Sequence, residues 1–149
     1  MYIDVDNQKT YIATGSKDHI QGNMGITFIH GTAMDHTVWT LASRHFARRG
    51  LNILAVDLPG HGRSEGDVIP SIEGMADWVI KALDASNQDK SIIVGHSMGS
   101  LVAFDVAARY PDRITALAMV GTSIPMPVGD VLLDNAKADN HVAKEMVNF

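Results

Sequence analysis

The chain opens with two short stretches in which apolar and polar positions alternate, residues 2–5 and 10–13, joined by the polar run Asp6-Asn7-Gln8-Lys9. Alternation of period two predicts half-buried strands, and the polar run suits a hairpin turn, so an antiparallel pair is expected. From Gly25 the pattern changes. GITFIH is apolar without alternation, which predicts a strand buried on both faces. After a polar loop, Val38, Leu41, Ala42, His45 and Phe46 recur at helical spacing, and Gly50 ends the run. A second apolar strand, LNILAVD, follows at once, then the Gly/Pro-rich loop LPGHGRSEGD. Ser71 is placed to cap a helix whose apolar face is Ile72, Met75, Ala76, Val79 and Leu83. The unit then repeats as SIIVGHSMGSLVAF: a strand, a turn, and a helix over residues 101–109 with Asp105 and Arg109 paired at i,i+4 and Pro111 as its stop. ITALAMV, residues 114–120, is expected as another buried strand. Beyond Val120, GTSIPMPVGD reads as a loop, and residues 131–149 as one or two helices with Val142, Met146 and Phe149 in register.

Apolar strands alternating with helices predict an α/β fold: a mostly parallel sheet with helices on both faces and right-handed crossovers. The 149 residues, 46% hydrophobic and 19% charged, are enough for one core, so one domain or part of one is expected. A net charge of -5 with no Lys/Arg block argues against nucleic acid and against anionic membrane as partners. The absence of cysteine removes disulfides, thiolate metal sites and a cysteine nucleophile. The opening MYIDVDNQKT has neither a basic nor an apolar leader region, and no apolar run reaches the ~18 residues of a membrane span, so a soluble, cytoplasmic protein is expected.

The candidate chemistry lies in Gly95-His96-Ser97-Met98-Gly99. A strand that turns directly into a helix forces its apex residue into a strained backbone, tolerable only if the residues two positions either side have no side chains to collide. Such a turn lifts the Ser97 hydroxyl above the carboxyl end of the sheet and aims the backbone N–H of Met98, at the helix start, toward any oxyanion beside it. A second donor is expected from the loop FIHGTA, where Gly31 lets the backbone come close and the Thr32 N–H faces the same point. His30 is then structural. The other histidines read as packing or loop residues: His96 at the pocket edge, His36 and His61 in loops, His45 at a helix boundary. None has a metal partner at useful spacing, so no metal is expected, and Pro59-Gly60-His61-Gly62 lacks the spacing of a phosphate-binding loop. Asp57 and Arg63 are expected to brace their loop.

These motifs together resemble the α/β-hydrolase superfamily in its cap-bearing form: His30-Gly31-Thr32 with Trp39 downstream, Asp57-Leu58-Pro59-Gly60-His61-Gly62-Arg63-Ser64, and the elbow Gly95 to Gly99. The resemblance covers roughly residues 2–120. It implies strand order 1-2-4-3-5-6, a serine nucleophile at Ser97, no cofactor, and a small-molecule acyl substrate cleaved at an ester, thioester, lactone or carbon–carbon bond. It further implies that residues 1–125 are the N-terminal part of a core truncated after the sixth strand, and 126–149 the start of a cap. The triad acid and histidine of the family follow later strands, and are therefore expected outside this chain. His141, preceded by Asp130, Asp134 and Asp139, satisfies the bare Ser–acid–His order but lies in a helical segment with no strand to return it to the sheet. A non-catalytic binding module or pseudoenzyme, and half of a split enzyme, stand as alternatives. An unprotected sixth strand is expected to allow self-association along residues 114–120.

Overall fold

The computed structural model describes residues 1–147. Its six strands, β1 (Tyr2–Val5), β2 (Gln8–Ala13), β3 (Gly25–Ile29), β4 (Asn52–Val56), β5 (Ser91–His96) and β6 (Ile114–Val120), form one sheet in the order β1-β2-β4-β3-β5-β6. The first two junctions are antiparallel and the remaining three parallel, as expected from the switch between alternating and fully apolar strands. The hairpin is tighter than the polar run predicts. Asp6 and Asn7 alone make the turn, with φ of 53° and 62°, a left-handed pair whose twist matches that of the flanking strands. Gln8 and Lys9 are thereby released into β2.

Helices cover both faces. Helix α1 (Thr40–Ala47) lies on one side, over Ile26, Phe28, Ile53 and Ala55. Helices α2 (Ile72–Ala85) and α3 (Met98–Arg109) lie on the other, over Ile29, Leu54, Val56 and Ile93. Ser71 caps α2 as expected, its hydroxyl accepting the Gly74 N–H at 3.1 Å, and the Arg109 guanidinium donates to Asp105 at 2.7 Å. Helix α3 starts at Met98, directly after the turn, so Gly99 and Ser100 lie in its first turn and are buried.

Two expectations are corrected. The stripe assigned to α1 is out of phase, because His36–Trp39 winds as a 3-10 helix with three residues per turn. Leu41 consequently stands 83% exposed and Val38 is exposed, while Trp39, Ala42 and Phe46 make the packing. Strand β6 forms where expected but is not buried. It is the end strand among the described residues, and Thr115, Ala116, Ala118 and Val120 are exposed.

The C-terminal segment forms helices α4 (Asp130–Lys137) and α5 (Val142–Val147), neither with a buried residue. Val142 is half-buried, Met146 is exposed, and Phe149 lies outside the described residues. No helix among the described residues is long and apolar enough to cross a membrane.

Candidate active site

Ser97 joins β5 to α3 with φ 52° and ψ -122°, a conformation rare for any residue with a side chain. The strain is held from both sides. A Cβ at Gly95 would collide with the Gly99 carbonyl, and one at Gly99 with the carbonyls of His30 and Ile29, so both flanking positions admit only glycine. The Ser97 N–H continues the ladder to Val120 at 2.9 Å, and its carbonyl accepts the Ser100 N–H at 2.8 Å. The backbone is thus pinned on both sides of a hydroxyl that has no hydrogen-bond partner among the described residues.

The loop after β3 lies against this turn. A Cβ at Gly31 would sit 3.2 Å from the Ser97 Cβ, so the absence of a side chain there sets the approach. Thr32 follows at the surface beside Ser97. Among the described residues neither the Thr32 nor the Met98 N–H has a partner, which leaves two free backbone donors bordering the serine. Thr32, Ala33 and Ser97 form the floor of a cleft of about 550 Å³ whose roof is Met126, Val128, Leu132, Leu133 and Val147. The roof is largely aliphatic.

Two loops hold the floor in place. Asp57 is fully buried. Its carboxylate accepts the His36 N–H at 2.7 Å, the His36 ring at 2.8 Å and the Arg63 N–H at 2.9 Å. Ser64 donates to the Asp57 carbonyl at 2.7 Å and accepts the Tyr11 N–H at 2.9 Å, tying the same loop to β2. Asp57 therefore braces the loop, as expected, and Arg63 takes part through its backbone while its guanidinium lies over the Tyr11 ring. His36 was expected only as a loop residue; its pairing with Asp57 spans 21 positions. Asp35, His36 and Asp57 bring potential ligand atoms within 4.8 Å of one another. The carboxylate oxygens there already accept N–H groups, Asp35 from Thr37 at 2.8 Å, and the group reads as a brace rather than a metal site. His30, without solvent exposure, accepts the Leu58 N–H at 3.2 Å, and burial lowers its pKa from the usual value of 6.5. His96 packs edge-on against Trp39 at 6.4 Å.

The sequence profile of the alpha/beta hydrolase fold family matches residues 26–148. The chain belongs to the α/β-hydrolase family. It is 37% identical over 103 residues to a pimeloyl-acyl-carrier-protein methyl ester esterase of Citrobacter koseri, a match covering 69% of this chain and 38% of that protein. Among solved structures it is similar to a thermophilic esterase, with TM-score 0.71 and 25% identity over 96% of this chain and 52% of the other. It is also similar in fold to Est816, described as an N-acyl homoserine lactone degrading enzyme, with TM-score 0.75 and 24% identity over 93% of this chain and 52% of the other. The chain thus spans 38% of the length of the curated relative it matches.

Within this α/β-hydrolase chain the structure brings together Ser97, Thr32 and the Met98 N–H, and does not bring His141 to them. His141 is exposed, 3.4 Å from Glu145 on the same helical turn, and is absent from the cleft lining; Asp130 and Asp134 are absent from it too. Asp139 lines the cleft, but at its roof. The roof residues were not legible as a site, although the apolar run at Val131-Leu132-Leu133 is a signal of a covered face.

Proposed function

We propose that this α/β-hydrolase chain carries the nucleophile and oxyanion donors of a serine hydrolase that cleaves acyl substrates through an acyl-enzyme. The Ser97 hydroxyl oxygen attacks the substrate carbonyl carbon, and the negative charge that develops on the carbonyl oxygen is received by the N–H groups of Thr32 and Met98. Collapse expels the alcohol or thiol, and water then releases the acid and restores Ser97. The base that takes the serine proton, and the carboxylate that orients it, come from outside the described residues, either later in a longer chain or from a second chain. The observation that carries this reading is a strained Ser97 at the floor of the cleft whose hydroxyl, like the N–H groups of the cleft residue Thr32 and of the adjacent Met98, has no partner among the described residues. An ester of an aliphatic acid is the favoured substrate, with thioesters, lactones and activated carbon–carbon bonds behind it. The aliphatic roof supports an acyl chain, and the likeness to the methyl ester esterase of Citrobacter koseri supports the bond type.

The exposed His141 favours one competing reading, a binding module that keeps the pocket without turnover. Hydrolysis of p-nitrophenyl acetate by the 149-residue chain separates the possibilities. The proposal expects slow release, at best about 10³-fold over water, since oxyanion donors without a base leave only residual catalysis. Release no faster than in buffer alone supports the binding module. Rapid turnover lost in both Ser97→Ala and His141→Ala places a complete triad within the chain and contradicts the proposal.

A further inference from the structure

We propose that His30, held neutral with its proton on Nδ1, is the positioning residue that aims the Thr32 N–H, and that acid shifts this hold by breaking the ring's bond to Leu58. The inference rests on reading Thr32 as an oxyanion donor. Its basis is a proton assignment forced by hydrogen bonding. The backbone N–H of Leu58 can only donate, and it points at His30 Nε2 from 3.2 Å, so Nε2 must present its lone pair. The ring proton is then on Nδ1, which donates to the Gly31 carbonyl at 2.8 Å. That carbonyl belongs to the same peptide unit as the Thr32 N–H. Because a trans peptide is planar, fixing the direction of the Gly31 C=O fixes the opposed direction of the Thr32 N–H. A weaker second hold on the same oxygen comes from the Met34 N–H at 3.3 Å. His30 thus links the loop after β3 to the loop after β4 through one buried ring.

Protonating that ring would set an Nε2–H against the Leu58 N–H, two donors face to face, and place a cation in a site with no solvent exposure. The titratable groups around it are His61 from the loop after β4, its ring centroid 5.0 Å away, Asp57 at the end of β4, and Asp35 from the loop after β3. Burial and His61 disfavour the charge, while the Gly31 carbonyl and the two carboxylates favour it; the balance lowers the pKa of His30. Acid therefore breaks the Leu58 bond; the Nδ1–H still donates to the Gly31 carbonyl, and the Gly31–Thr32 peptide shifts with a ring that has lost its anchor on the loop after β4.

Nitrogen-15 NMR of the chain tests this without substrate or turnover. At pH 7.5 the imidazole of His30 should show a protonated Nδ1 and an unprotonated Nε2. On acidification its midpoint should fall below 6.5, and the amide signals of Thr32 and Leu58 should move with the same midpoint. His30→Gln can still accept from Leu58 and donate to Gly31, so it should keep the Thr32 amide near its pH 7.5 position and flatten its titration. A proton on Nε2 overturns the inference, as does a Thr32 amide that stays fixed while His30 titrates. A Thr32 titration that persists in His30→Gln and disappears in His61→Gln overturns it as well. If His30→Gln fails to fold, the titration of the unaltered chain decides. Loss of the coupling refutes the role of His30 and leaves Ser97 chemistry standing; absence of ester hydrolysis with the coupling intact refutes only the proposed reaction.

Discussion

Residues 1–113 and 114–147 meet at one cleft and are built in opposite ways. The first part contains all of the buried core and ties the loops beneath the cleft together through a buried carboxylate; Asp57 alone collects three N–H donors. None of the described residues after Val106 is fully buried, and the hydrogen bonds that α4 and α5 make lie within the segment, such as Asn135 to the Val131 carbonyl at 2.7 Å. The difference teaches that the placement of Ser97, the proposed nucleophile, and the covering of the cleft are separable. The floor is over-determined and rigid, as a strained backbone requires. The helices of the roof have no buried residue, which is the construction expected of a part of low local stability.

The contrast can be sharpened first at β6, where the largest effect is expected. No lysine, proline or acidic residue protects Ile114–Val120, and Phe104 on the adjoining helix is 49% exposed. A second copy of the chain can pair with this strand, so light scattering after size exclusion at micromolar concentration is expected to give twice the monomer mass or more. A monomer whose β6 amides resist hydrogen exchange would show that the roof protects the edge.

Substitutions in the floor come next. Asp57→Ala strands both His36 donors and the Arg63 N–H in a buried site and should cost about 4 kcal/mol in urea unfolding. Gly99→Ala drives a methyl into the carbonyls of His30 and Ile29 and should cost about 3 kcal/mol. Leu83→Ala, in the core under α2, belongs to the same range at about 3 kcal/mol. Leu132→Ala, in the roof, should change stability by no more than about 0.5 kcal/mol. A roof substitution as costly as Leu83→Ala would erase the distinction between the two parts.

The smallest effect is on pH dependence. His30 has its pKa lowered by burial, so between that value and 6.5 the unfolded chain binds more protons than the folded one. Stability therefore falls as pH drops through 6.5 and levels off below the folded pKa. His30→Gln should reduce this slope, leaving the part due to His19, whose pKa burial also lowers, and a urea series from pH 7.5 to 5 can detect the change.

The floor was legible in the sequence because its determinants are local. Two glycines around Ser97, one at Gly31 and the cap at Ser71 state their geometry within a few residues. Asp57 was legible as a brace, but its partner His36 was not, since only the tertiary approach of two loops brings them together. The phase of α1 escaped because a 3-10 turn ahead of it breaks the 3.6-residue count on which the stripe depends. Strand β6 reads as buried from composition alone; its place at the edge came from the strand order that the resemblance implies, since an apolar strand carries no record of whether it has a neighbour on each side. Residues 126–149 were read as the start of a cap only through the resemblance, and which of them line the cleft was illegible, since that depends on contacts distant in sequence.

The central claim is that Ser97 is the reactive group of this chain. Prolonged exposure to an alkyl fluorophosphonate, followed by peptide mass mapping, tests it most directly. The account predicts one dominant adduct on Ser97, lost in Ser97→Ala and undiminished in His141→Ala. Adducts spread evenly over the serines of the chain, or a Ser97 adduct that disappears in His141→Ala, would contradict it.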